Sequence, residues 1–246
     1  MASRDNPRAH EHTEKTGNEE MQTNESSSHR RIYVWDPLVR VFHWSLLALI
    51  GFSWYSGETG GNMMEYHMWS GYAILTLVLV RIVWGFVGTT YARFASFLHH
   101  PRAIITDLLT LHRRESAVPA IGHSPLGGVN VILLITCVLI QAGTGLFAND
   151  DIFTEGPLYS LVGKDTSDWL TGIHHYNFSV LLTLAGLHVA AVLYHLIRRR
   201  ENLIAAMFTG YKKVAGIVAT PATPFRPARA LVLLASVAGA VWLLVG

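Results

Sequence analysis

Four long apolar stretches separated by polar links organise the chain, and each approaches the roughly 20 residues a helix needs to cross a bilayer. The first opens at Asp36-Pro37 and runs from Leu38 to Tyr55. Aspartate is suited to capping free N–H groups there, and proline is tolerated at the first helical position. The second runs from His67 to Val87, interrupted by Arg81. The third covers Gly127 to Phe147, and the fourth Gly172 to His195. A further apolar run, Ala230 to Val245, is borderline in length and is a candidate fifth span. Between the second and third spans, PRAIITDLLTLH (residues 101–112) places its apolar side chains mostly on one helical face, which predicts a short helix lying in the interface. Residues 1–31 carry almost no large apolar side chains, so they are expected to form a disordered tail. They also lack the apolar core of a secretory signal. The pattern predicts an all-α transmembrane four-helix bundle over residues 32–213, followed by a linker and the candidate fifth helix over 214–246.

Composition supports this. Half of the 246 residues are hydrophobic and only 15% are charged, which is low for a soluble domain of this size. A net charge of +2 with no concentrated basic face argues against nucleic acid as a partner. The distribution of charge is more informative than its sum. Arg93, Arg102, Arg113 and Arg114 lie between spans two and three, and Arg198, Arg199, Arg200, Lys212, Lys213, Arg226 and Arg229 follow span four. The link from Ser56 to Tyr66 holds Glu58 and Glu65 with no Lys or Arg, and that from Ala148 to Asp168 holds five acids against Lys164. Lys and Arg mark cytoplasmic segments, so the N-terminus is expected inside and, with a fifth span, the C-terminus outside.

The chemistry lies in the histidines. His174 and His188 are fourteen residues apart in span four, about four turns or 21 Å, and share one face; His175 points the other way. His67 and His174 both open their spans from the outer side and can meet. His43, in the inner half of span one, can meet His188 or His195, and flanking charge does not choose between them. Polar groups inside a membrane are expensive and usually face the bundle interior for a reason. Two facing pairs, one toward each surface, match the needs of two bis-histidine haems, with both axial positions of each iron closed. The plainer reading has each imidazole bonded to a neighbouring carbonyl. Zinc would require ligands converging on one point, which a 21 Å separation forbids. With Cys137 alone and no C-x-x-C-H sequence, there is no disulfide, and haem would be held without a covalent bond. Arg81, fourteen residues after His67, and Arg40, one turn before His43, are candidates to meet a haem propionate at the inner site, with Arg81 snorkelling to the surface as the alternative. Gly71 is suited to leaving room for a porphyrin face or to helix packing. His123 reads as a structural cap before propionate contact. His10, His12 and His29 read as solvated, His99, His100 and His112 as loop or interfacial, and the tryptophans as an interfacial belt.

The segments WDPLVRVFHW, YHMWSGYAILTLVLVRIVWGFVG, GHSPLGG, LHVAAVLYH and RENLIAAMFTGYKK, in this order, resemble the bacterial cytochrome b561 family, related to the cytochrome b subunits of nickel-iron hydrogenases. The resemblance covers about residues 32–213. It implies a four-helix bundle in the bacterial inner membrane carrying two non-covalent b haems. It also implies electron exchange between quinone or quinol and a redox partner such as a cytochrome c, a hydrogenase or a dehydrogenase. Carried over by position, it implies His43 with His188 at the inner haem and His67 with His174 at the outer haem, deciding against His195. The doubled His174-His175, the extra His195, the tail and the C-terminal run depart from the pattern. Direct quinone reduction by a small molecule such as superoxide, which would be the electron donor, is a true enzymatic activity compatible with the family but selected by nothing in the residues, and an oligomer is equally compatible. No nucleophile–base pair or phosphate loop is evident. The competing class is a non-haem transporter or proton-linked carrier, which more often shows broken helices and acids at mid-membrane; the four spans contain neither Asp nor Glu.

Overall fold

The structure is a computed structural model that describes residues 29–110, 121–215 and 223–246. Its helices are α1 (Pro37–Thr59), α2 (Met63–Val87), α3 (Pro101–Thr110), α4 (Pro125–Gly145), α5 (Lys164–Arg198), α6 (Leu203–Thr209) and α7 (Pro227–Val245). Two strands, β1 (His29–Tyr33) and β2 (Tyr211–Ala215), pair antiparallel with Tyr33 opposite Tyr211. Five helices, α1, α2, α4, α5 and α7, are long and apolar enough to cross a membrane. The fold is therefore a helical membrane bundle, and the borderline C-terminal run forms a helix like the other four.

Helix α2 is the centre of the bundle. It packs against α1, α4 and α7, while α5 rests along α4 and makes no comparable packing against α1 or α2. The main apolar core joins Ile74, Leu75 and Val78 of α2 with Ile135 and Val138 of α4, Leu181 of α5 and Val241 of α7. A second cluster lies at the end where α1 begins, around Val34, Trp35, Val39, Trp84 and Ala206. Both are bounded by polar residues that carry the chain in and out of the apolar layer.

The second cluster is built round Asp36, which is 1% exposed. Its Oδ1 accepts from the Val39 backbone N–H at 2.9 Å and caps α1, as expected from Asp36-Pro37. Its Oδ2 accepts from Trp84 Nε1 at 2.9 Å and from the Thr89 hydroxyl at 2.6 Å. One carboxylate thus ties the start of α1 to the end of α2. The strand pair closes the same end: Val34 and Trp35 N–H both donate to the Gly210 carbonyl, at 2.8 and 3.1 Å, directly after α6.

Several boundaries differ from the apolar pattern. The link between α1 and α2 shrinks to Gly60–Asn62, because only Gly60 and Gly61 adopt the left-handed region, with φ of 63° and 54°. Gly57 lies inside α1. Helix α5 begins at Lys164, within the segment expected to be loop, and its 35 residues correspond to about 52 Å, longer than the hydrocarbon layer. Its first turns therefore continue outside the apolar zone. Residues 29–31, expected to belong to the tail, form part of β1, since pairing with β2 satisfies a backbone that few apolar side chains would otherwise order. Residues 1–28, including His10 and His12, lie outside the described residues, as do His112 and the end of the expected interfacial helix.

Hydrogen bonds to a charged group contribute about 1.5–3 kcal/mol each and an aspartate cap about 1 kcal/mol. Asp36→Ala is expected to destabilise the fold by roughly 3–5 kcal/mol, since Trp84 Nε1 and Thr89 lose their acceptor. Asp36→Asn, which keeps an acceptor oxygen, loses less. Thermal unfolding of the purified protein in detergent checks both the direction and the ranking.

Candidate functional site

Three helices deliver four histidines to two levels. His43 comes from α1, His67 from α2, and both His174 and His188 from α5, which holds their four-turn spacing without a break. At the level where α1 begins and α5 ends, the His43 and His188 rings face each other with centroids 6.2 Å apart. At the opposite level the His67 and His174 rings stand 6.1 Å apart. His175 is exposed on the other side of α5, as its angular position requires.

These separations are informative. An imidazole nitrogen lies about 1.1 Å from its ring centre, so rings sharing a direct N–H···N bond of about 2.9 Å would have centres about 5 Å apart. Two imidazoles on opposite sides of one metal ion, each with a metal–nitrogen bond of about 2.0 Å, would have centres about 6.2 Å apart. Both pairs match the second geometry. Among the described residues, no three His, Cys, Asp or Glu side chains gather into a metal-holding group.

In three of the four histidines Nδ1 has a partner on a neighbouring helix. His67 Nδ1–H donates to the Ser53 carbonyl of α1 at 2.8 Å. His174 Nδ1–H donates to the Gln141 carbonyl of α4 at 2.9 Å. His188 Nδ1 lies 3.1 Å from the Asn130 side-chain amide of α4. The two bonds to carbonyls fix ring orientation and tautomer at His67 and His174 and leave Nε2 as the free lone pair, which is how metal-bound histidines are usually supported. Two glycines make the outer approach possible. A Cβ on Gly57 would come within 3.0 Å of His67 Nδ1, and one on Gly145 within 3.0 Å of His174 Cε1. Gly71, by contrast, faces open space, where a methyl group would meet nothing within 4 Å.

His195, the rival for the inner pair, is engaged elsewhere. Its Nδ1 lies 2.9 Å from Glu201 Oε2, and Glu201 also pairs with Lys212 at 3.2 Å. The hydrogen bond from His195, reinforced by the Lys212 charge, holds the Glu201 carboxyl down to about 2. This trio joins the end of α5 to β2, and the described ring contacts of His43 are with Trp44 and His188.

The arginines also separate. Arg81 is 4% exposed, sits 5.4 Å over the Phe94 ring, and keeps its Nη1 buried without a hydrogen-bond partner among the described residues. Arg40 donates from Nη1 to the Phe208 carbonyl at 2.6 Å, leaving its Nε buried and unpaired. His123 is packed between Trp35 and Phe97, both at 4.7 Å, and its Nδ1 is likewise buried without a partner. Burial, with the charge of Arg81 adding to it, pushes its imidazole down to about 3. The expected capping role belongs to its neighbour: Ser124 Oγ accepts from Gly127 N–H at 3.1 Å. The supporting residues Ser53, Asn130 and Gln141 carry no sequence signal of their own; the one clue is that polar groups are scarce in spans.

The structure thus sets two pairs of imidazoles at two levels of a multi-pass membrane bundle. Residues 34–210 match the family described as prokaryotic cytochrome b561, and the chain belongs to that family. Its class is a membrane haem b electron-transfer protein. It is similar to the probable Ni/Fe-hydrogenase B-type cytochrome subunit of Rhizobium leguminosarum bv. viciae, 25% identical over 217 residues that cover 73% of this chain and 87% of that protein. It is also similar to the protein of the same description from Bradyrhizobium diazoefficiens, 23% identical over 217 residues covering 74% and 86%. No solved structure matches significantly.

Gly145→Val would drive branched methyl groups into the His174 imidazole, whose Cε1 already lies at the limit for a single added Cβ. The purified variant is expected to lose bound haem relative to wild type, whereas Gly239→Ala on α7, whose methyl meets nothing within 4 Å, retains it. Pyridine haemochrome quantitation per chain makes the comparison.

Proposed function

We propose that the chain holds two haem b groups, His43 with His188 at the inner level and His67 with His174 at the outer, and passes electrons across the bacterial inner membrane. The carrying observation is the ring separation of 6.2 and 6.1 Å at two levels of one helix, too wide for a direct hydrogen bond and matched to one metal ion between each pair. Haem, when bound, would supply a one-electron iron centre, and the four histidines would hold it for electron transfer in preference to binding a gas or substrate.

The protein's part is to hold and insulate. Backbone carbonyls on α1 and α4 orient His67 and His174, and Asn130 meets His188. The sparse packing of α5 against α1 and α2 is consistent with a planar group between them. Arg81 is the favoured partner of a propionate at the inner level, because its Nη1 is buried, cationic and unpaired. His123 Nδ1 stands beside it as a second donor, while Arg40 has part of its capacity committed to Phe208. Placing the α1 start in the cytoplasm follows from the Lys and Arg excess there.

Quinone or quinol is the reductant or oxidant within the membrane, and the second partner is a redox protein at the outer face. The names of the two relatives favour a hydrogenase in that role, with a cytochrome c or a dehydrogenase as other members of the same class.

Ligand variants test the assignment. His188→Ala is expected to lose one haem per chain, and His195→Ala to retain both. Exchange of those two outcomes in the haemochrome assay overturns the inner pair.

A further inference from the structure

The two α5 histidines are both supported from α4, but not by the same kind of group. Asn130 and Gln141 are eleven residues apart on α4, about three turns, so they share one face and lie about 16 Å apart along the axis. Gln141 meets His174 through its backbone carbonyl at 2.9 Å, whereas Asn130 meets His188 through its side-chain amide, with Nδ2 placed 3.1 Å from Nδ1. His67 also uses a backbone acceptor, the Ser53 carbonyl. The shorter outer contacts are therefore to the helix backbone, with the Ser53 and Thr144 hydroxyls farther off at 3.3 Å each, and the inner support depends on one side chain. An amide is costly in a membrane helix unless it is satisfied, and among the described residues Asn130 has this contact as its side-chain hydrogen bond.

We infer that Asn130 is a positioning residue for the inner haem, holding the His188 ring and setting the reduction potential of that haem independently of the outer one. The inference rests on the reading of His188 as a haem ligand. Ligation through Nε2 leaves His188 Nδ1 carrying a proton, so Nδ1–H donates and Asn130 must present its Oδ1. Amide oxygen and nitrogen are interchanged by a half-turn of the side chain, and the hydrogen-bond network decides which faces the ring. An acceptor on Nδ1–H makes the imidazole more basic. A more basic ligand stabilises ferric iron over ferrous and lowers the potential; hydrogen bonding behind the axial ligand is one of the few means a protein has to do so. At the outer level a substitution of Ser53 or Thr144 removes only a hydroxyl at 3.3 Å and leaves the backbone acceptors in place.

The test uses the full-length protein purified from membranes. Asn130→Leu keeps a similar volume and removes the acceptor; Asn130→Asp keeps an acceptor oxygen at the same reach. Haem content, potentiometric titration of both haems and the low-spin ferric EPR spectrum are measured, the inner haem being the one missing from His188→Ala. Asn130→Leu is expected to shift the inner midpoint upward, to alter the inner haem's g-values and to leave the outer haem unchanged. Asn130→Asp is expected to leave the inner midpoint at or below wild type. An unchanged inner midpoint in Asn130→Leu, an equal upward shift in both variants, or a matching shift of the outer haem overturns the inference. If Asn130→Leu fails to hold the inner haem, Asn130→Asp decides alone: a midpoint at or below wild type supports the role and a raised one overturns it. Absence of haem from wild type, or retention of both haems in His188→Ala, would instead strike the ligand assignment.

Discussion

A buried imidazole has two nitrogens to satisfy, and in a membrane each unsatisfied one is expensive. In three of the four paired histidines one nitrogen is committed to a neighbouring helix: His67 to Ser53, His174 to Gln141, His188 to Asn130. The other nitrogen is left to face an opposing ring too distant for a hydrogen bond. The proposed haems would satisfy that second nitrogen at each level. This constraint explains why α5 leans on α4, the source of two of the three supports, and not on α1 or α2, toward which its histidines project.

The same economy of polar groups governs the end of the bundle where α1 begins. Asp36 gathers the α1 cap, Trp84 and Thr89 onto one buried carboxylate, and it is an opposing charge for the buried Arg81. Around this knot the chain adds clamps from distant sequence: β1 with β2, Gly210 against Trp35, Arg40 on Phe208, and the His195–Glu201–Lys212 trio. These fix the ends of α1 and α5, and so the depth and facing of His43 and His188. The opposite level relies instead on close approach, with Gly57 and Gly145 admitting the His67 and His174 rings against the α1 and α4 backbones.

Much of this was legible in the chain. Apolar run length located the spans, and the fourteen-residue step placed His174 and His188 on one face because helical periodicity is rigid over four turns. Depth alone left His195 open, since flanking charge reports distance to the surface and not facing; in the fold His195 lies 2.9 Å from Glu201, while the His43 ring stands beside His188. The β-ribbon was not legible, because five-residue strands on a polar tail carry neither length nor alternation enough to register. Gly57 read as link material because a helical glycine needed for close approach looks like a turn glycine until its neighbour is known. Asn130 and Ser124 likewise acquired their roles only from what the fold sets beside them.

The account turns on two metal-centred groups per chain, each between a pair of histidines. Haem stoichiometry of the purified wild-type protein, combined with EPR of the oxidised form, tests that most directly. Two b haems per chain, both low-spin with bis-histidine signals, are predicted. A single haem, or high-spin iron at either level, would contradict it.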